Sequence, residues 1–233
     1  NSIADIMATM VEAYKTYDDA RYVEAAKRGG DFMILAQMPE PQPVWAQQYN
    51  LNMEPAWARQ FEPPSVTGGE TFGIMRALLD LYVETGEERF LEPIPKALAW
   101  AKRSMLPDGR LARFYELKTN TPLYFTKGDY VLTYDDSNMP THYAFKVSGG
   151  RVGSVETYYD RVVKEGREVV LAERSRVASV DEAEVKAIVA ALDEQGRWIS
   201  MGRFRDPNNR RGRVEAEAIS CRTFYVNMRT LAG

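Results

Sequence analysis

Three times in this chain a stretch with helical periodicity gives way to a turn and then to a short segment opening on Trp or Leu. The first is MPEPQPVWAQQY (38–49), opening on Trp45; the second is LPDGRLARFY (106–115), opening on Leu111; the third is LDEQGRWISM (192–201), opening on Trp198. A unit of helix, turn and extended segment cannot bury its apolar face alone, so successive units must stack. Stacked helical hairpins give an α/α toroid with loops crowded at one end. The expected fold is therefore all-α, an incomplete (α/α)3 barrel with short β segments in loops at that end. A generic helical domain with chance Gly-Arg turns is the alternative.

Apolar residues at helical spacing (Ile3, Ile6, Met7, Met10, Val11) predict a helix over 3–15. Asp18 and Asp19 form an acidic pair best read as the start signal of a second helix over 22–37. Further helices are expected over 70–84, 87–105, 155–176, 181–195 and 215–231, with short strand signals confined to connections, such as 111–117 and 130–134. At 233 residues the chain has length for one large domain with a well-buried core, and a single catalytic domain over 1–233 is expected.

A formal net charge of −3 gives no whole-protein attraction for nucleic acid or for an anionic polymer, so a polyanion needs a local cationic cluster or metal ions. No apolar run approaches the roughly 20 residues that span a bilayer, so no membrane partner is expected. The lone Cys221 sits in an apolar stretch and reads as a buried, inert thiol. With one histidine, His142, a His-rich metal centre is excluded. The chain begins without Met or a signal-like segment, and is expected to be a piece of a longer product.

The connection over 47–67 is long, proline-punctuated and rich in aromatics and acids, and long ordered loops are where function concentrates. Trp57 and Phe61 could stack on sugar rings, and Arg59 could grip a carboxylate with its planar fork. Alternatively Trp57 plugs the core and Arg59 pairs with Glu54 or Glu62. The densest basic run, RFRDPNNRRGR (203–213), is either an extension of a binding groove for an acidic polymer or a solvated turn around 206–209; no nucleic-acid reader motif accompanies it.

EPAWARQFEPPSVTGGETFGI (54–74) followed by LARFYELKTNTPLYFTKGD (111–129) resembles the paired signature of the pectate lyases of polysaccharide lyase family 10. The resemblance runs from Asn1 to about Gly128, with a weaker echo over 221–227. It implies calcium-dependent β-elimination of polygalacturonate, in which a base removes the C5 proton and the O4 glycosidic bond leaves. Charge builds on the C6 carboxylate in the transition state and must be neutralised by cations. The resemblance places Arg59 on substrate carboxylate, with Trp57, Glu62 and Tyr115 also in the substrate site, and makes Arg113 catalytic, neutralising that carboxylate beside the base. The family's base is an arginine 14 residues after the one matched by Arg113; position 127 here is lysine, so Lys127 becomes the expected base. A lysine starts from a pKa of about 10.4 and must be lowered to act as a base. The matching calcium-ligating aspartate would stand just before Asn1, so no metal ligand is assigned in this chain, which is expected to lack its N-terminal part.

The expected activity is thus that of a secreted or periplasmic, monomeric pectate lyase using Ca2+. An inactive uronate-binding relative and a toroid glycoside hydrolase are the alternatives, the latter drawing two carboxylates from Glu54, Glu62, Glu70 and Asp129.

Overall fold

The computed structural model describes residues 2–174, 181–206 and 208–232. Asn1, Arg176 and Pro207, on which sequence expectations fell, lie outside the described residues, as do the side chains of Arg210 and Arg211. The contacts divide the chain into two compact units, Asn1–Glu173 and Arg174–Gly233.

In the first unit, α1 (Ser2–Tyr17) packs along α2 (Ala20–Leu35), and both contact α3 (Thr71–Thr85). Asp19 caps α2 as expected, accepting from the Arg21 N–H. Helix α3 also meets α5 (Gly150–Glu165) and is therefore apolar over most of its circumference: Phe72, Met75, Leu78, Leu79 and Leu81 are all buried. The expected helix over 87–105 is a 3-10 turn (Glu88–Phe90) followed by α4 (Ile94–Arg103). The continuous helix expected from 155 begins earlier and breaks at Gly166, whose φ of 86° no helix accepts, before α6 (Arg167–Arg174).

The all-α expectation is overturned: the fold is 47% helix and 16% strand, in several small sheets. Strands β1 (Val66–Thr67), β3 (Phe114–Tyr115), β4 (Pro122–Phe125) and β5 (Leu132–Thr133) form an antiparallel four-stranded sheet in the order β1-β3-β4-β5. A second ladder joins β2 (Arg110–Ala112) to β6 (Lys146–Ser148). The extended segments read as loop decoration pair with one another because their backbones, buried beside Leu111, Phe114, Leu123 and Phe125, need partners. Asn120 ties this sheet to α4: its side chain accepts from Trp100 Nε1 (2.8 Å) and Gln42 Nε2 (3.1 Å), and donates to Ser104 Oγ (2.8 Å).

The second unit comprises α7 (Glu182–Ala190), a hairpin of β7 (Ile199–Asp206) and β8 (Asn209–Ile219), and α8 (Cys221–Leu231). The helix expected over 215–231 is half strand: Val214, Ala216 and Ala218 alternate with Glu215 and Glu217 at the two-residue period of a strand, and Ser220 then caps α8. The basic run at 203–213 falls on the two strands of this hairpin, with the expected turn between Asp206 and Asn209, where β7 ends and β8 begins. Cys221, expected to be buried, is exposed, because it opens a helix with no buried residue. No helix among the described residues is long and apolar enough to cross a membrane.

Candidate active site

The loop between α2 and β1 is pinned at its start. Trp45 Nε1 donates to Met33 O (2.7 Å), while Tyr49 Oη donates to Ala36 O (2.6 Å) and accepts from Ala46 N (2.7 Å). Burial pushes the Tyr49 phenol up to about 12. Asn50 holds the next turn and donates to Glu54 Oε2 (2.9 Å). The chain then folds into a tight turn in which Glu62 N donates to Arg59 O at 3.0 Å.

That turn sets Glu62, only 3% exposed, beneath Arg59. Glu62 Oε1 accepts from Arg59 Nη1 (2.9 Å), Tyr143 Oη (3.0 Å) and Gln47 Nε2 (3.2 Å), and Oε2 accepts from the Arg59 backbone N–H (3.2 Å). A buried carboxylate persists only when so paired and bonded. The expected alternative partner of Arg59 is therefore found, yet the arginine side chain is still 67% exposed.

Arg113 sits between β2 and β3. Its backbone N–H donates to Phe145 O (2.7 Å), and its carbonyl accepts from Gly68 N (2.9 Å). Its Nε donates to Ala144 O (2.6 Å) and its Nη1 to Glu70 Oε1 (2.5 Å), while Glu70 Oε2 accepts from Thr67 Oγ1 (2.5 Å). The Arg113 guanidinium carbon lies 4.8 Å from the centroid of the Tyr143 ring, a cation–π contact. Tyr143 thus joins the two arginines: its ring meets one and its hydroxyl bonds the carboxylate of the other. Burial raises its phenol above the ordinary range.

Lys127 occupies a turn closed by Thr126 N to Val131 O (2.9 Å), and its own N–H donates to Asn138 O (2.8 Å). Thr126 Oγ1 donates to Asp129 within that turn. The Lys127 side chain is exposed, with no ion pair among the described residues. Its turn is joined to the same cluster by aromatic contacts. Phe61 lies 5.4 Å from Tyr130, 5.3 Å from His142 and 4.8 Å from Tyr143. Trp57, 54% exposed, is not a core plug; its ring meets Phe125 edge-on at 6.2 Å.

The structure therefore gathers Arg59, Glu62, Arg113 and the turn bearing Lys127 around one aromatic cluster, with Trp57 standing out at its side. Tyr115 does not belong there: it is 1% exposed, its hydroxyl donates to Ser104 O (2.6 Å) and accepts from Ala112 N (2.9 Å), and burial raises it to about 12. Its expected sugar contact is corrected to a core role. Sequence reasoning missed Tyr143 and Gln47; the alternation of Tyr143 and Phe145 leading into β6 was the available signal for the first. The hydrolase candidates Glu54, Glu62, Glu70 and Asp129 are each engaged by neighbouring donors. Among the described residues no group of three or more His, Cys, Asp or Glu could hold a metal ion, so these residues do not by themselves fit a calcium site.

No family model matches the chain, and no curated protein matches it. Solved structures do. Family 10 polysaccharide lyase from Cellvibrio cellulosa superposes with a TM-score of 0.57 at 21% identity, covering 70% of this chain and 61% of that one. An aspartate-to-alanine mutant of the same enzyme, in complex with trigalacturonic acid, matches with the same values. The fold is that of a family 10 polysaccharide lyase. This chain spans less than two thirds of the length of those lyases.

Proposed function

We propose that this chain carries the catalytic centre of a pectate lyase, cleaving polygalacturonate by β-elimination as a secreted or periplasmic monomer. The observation that carries the proposal is the convergence of Arg59 and Arg113 on Tyr143, with the turn of Lys127 packed against the same aromatic cluster. Fixed cations where negative charge develops are what abstraction of a proton α to a carboxylate requires. Arg59 keeps its Nε and Nη2 donors for a bidentate grip on a uronate carboxylate. Lys127 is the group assigned the C5 proton; the C–H electron pair becomes the C4–C5 double bond, the C4–O4 bond breaks, and O4 takes a proton from water.

A calcium requirement belongs to this proposal on the family resemblance alone. The described acids do not fit the ion, and no step here passes through it.

The test is ultraviolet absorbance of the 4,5-unsaturated uronate product when polygalacturonate and calcium are added to the full-length protein, with chelator as control. Lys127→Ala should abolish turnover while leaving polymer binding nearly intact. Arg59→Ala should raise KM more than it lowers kcat. Reducing ends released without unsaturation, or turnover unaffected by Lys127→Ala, would overturn the assignment.

A further inference from the structure

Strands β7 and β8 pair residue by residue from Ile199 opposite Ile219 to Arg205 opposite Arg213. Side chains alternate between the faces of a strand, so Met201, Arg203 and Arg205 share a face with Arg213, Glu215 and Glu217. Charge is ordered along that face. Met201 stands opposite Glu217; Arg203 stands opposite Glu215, with Nε 3.8 Å from Oε1; and Arg205 stands opposite Arg213 at the turn end, just before a bulge.

Like charges directly opposite each other destabilise a hairpin. Arg205 and Arg213 are both exposed, and neither has an acidic partner among the described residues. The adjacent carboxylate, Asp206, serves the turn by accepting from Asn208 N at 2.8 Å. The hairpin therefore holds two guanidinium groups side by side, on Cβ atoms about 5 Å apart by the geometry of opposed residues. That spacing suits two planar forks converging on one carboxylate or on neighbouring carboxylates of one strand.

We propose that the turn end of this hairpin is an ancillary surface for an acidic polysaccharide, polygalacturonate, with Arg205 and Arg213 taking uronate carboxylates. The identity of the polymer rests on the function proposed above; the anion binding does not. Charge complementarity of the two guanidinium groups selects a polyanion, and DNA in the test below separates phosphate from uronate. A clamp of two exposed cations is weak for one sugar and gains strength from the many carboxylates on one polymer.

The experiment is electrophoresis of the full protein in native gels with and without embedded polygalacturonate, comparing wild type, the double variant Arg205→Gln/Arg213→Gln, and Arg205→Glu. Wild type should be retarded, less so with added salt. The double variant should bind about fivefold more weakly. Arg205→Glu replaces the like-charge pair by a cross-strand ion pair with Arg213, so it should keep or raise Tm while lowering retardation at least as far as the double variant. Turnover of trigalacturonate should be the same in all three. Retardation unchanged in both variants overturns the surface, as does equal retardation of wild type in gels containing DNA. A protein retarded through these arginines but without lyase turnover refutes the proposed function and leaves this surface standing.

Discussion

Replacing Gly68 by alanine tests the link between the packing of the first unit and its site. A Cβ at Gly68 would lie 2.2 Å from the carbonyl oxygen of Ala112 and 3.1 Å from Leu111 Cβ. Carbon–oxygen contacts begin at about 3.3 Å, so something must move by about 1 Å. The obstacle is main chain in β2, and no change of rotamer relieves it. Moving it strains the Gly68 N to Arg113 O hydrogen bond, worth about 1 kcal/mol. Overpacking adds about 1–3 kcal/mol, and the stiffer unfolded chain returns about 0.4–1 kcal/mol. The net expected loss is about 2 kcal/mol, and kcat/KM should fall with it because the displaced segment carries Arg113. Urea denaturation followed by near-ultraviolet circular dichroism reads it, since Trp45 and Trp100 are buried in this unit. Gly153→Ala is the control: this glycine is exposed in α5, its Cβ would meet nothing within 4 Å, and stability should rise by up to about 1 kcal/mol. A Gly68→Ala protein unfolding at the wild-type midpoint would refute the close approach of Gly68 to β2. Equal losses in the two variants would refute the claim that local space decides the sign.

Glu62→Gln keeps the shape but sets an amide N–H against either the Arg59 backbone N–H or the three donors on Oε1, and should cost about 1–3 kcal/mol in the same urea assay. Asn120→Ala leaves the indole N–H of the buried Trp100 without its acceptor and should cost about 1–3 kcal/mol, with a red shift in tryptophan emission before global unfolding. Tyr49 and Tyr115, each raised to about 12 in the fold, ionise more readily once unfolded, near pH 10. Their contribution is whole below that pH and is lost towards pH 12, at about 1.4 kcal/mol per unit for each phenol; Tyr115→Phe should flatten that limb by one phenol's share.

The first three helices were legible because their apolar residues repeat at helical spacing over four turns, as in Met7 and Val11 of α1 or Met75, Leu78 and Leu79 of α3. The Asp19 cap was legible because it is local chemistry. The sheets were not, since strands such as Val66–Thr67 and Phe114–Tyr115 are too short to show a period. Strand β8 does alternate, but its Glu and Ala residues are also good helix formers, and that propensity masked the two-residue pattern. At the site, the charges of Arg59, Arg113 and Lys127 could be read from the chain, and the pairing of Arg59 with Glu62 is a local turn. The partnership of Gln47 with Tyr143, 96 residues apart, exists only once the sheet is built.

Arg59 and Arg113 are unequal in the fold, and the inequality bears on the roles proposed for them. Arg113 is 16% exposed and spends its Nε on Ala144 O, its Nη1 on Glu70 and its face on Tyr143. Such a guanidinium cannot turn towards a ligand without breaking charge-assisted bonds, so in the proposed reaction it would serve as a fixed positive floor, needing no reorganisation as charge develops. Glu70 cancels part of that field, which limits what Arg113 alone can do for a carboxylate. Arg59 is the reverse case: one Nη1 bond anchors it to a buried carboxylate, and the rest of its fork faces solvent. Glu62 holds both ends of the arrangement, since the same oxygen that anchors Arg59 receives the hydroxyl of the tyrosine lying against Arg113. Substrate affinity should therefore follow Arg59, whereas the barrier to proton abstraction should follow the Arg113–Tyr143 floor, with Glu62 affecting both.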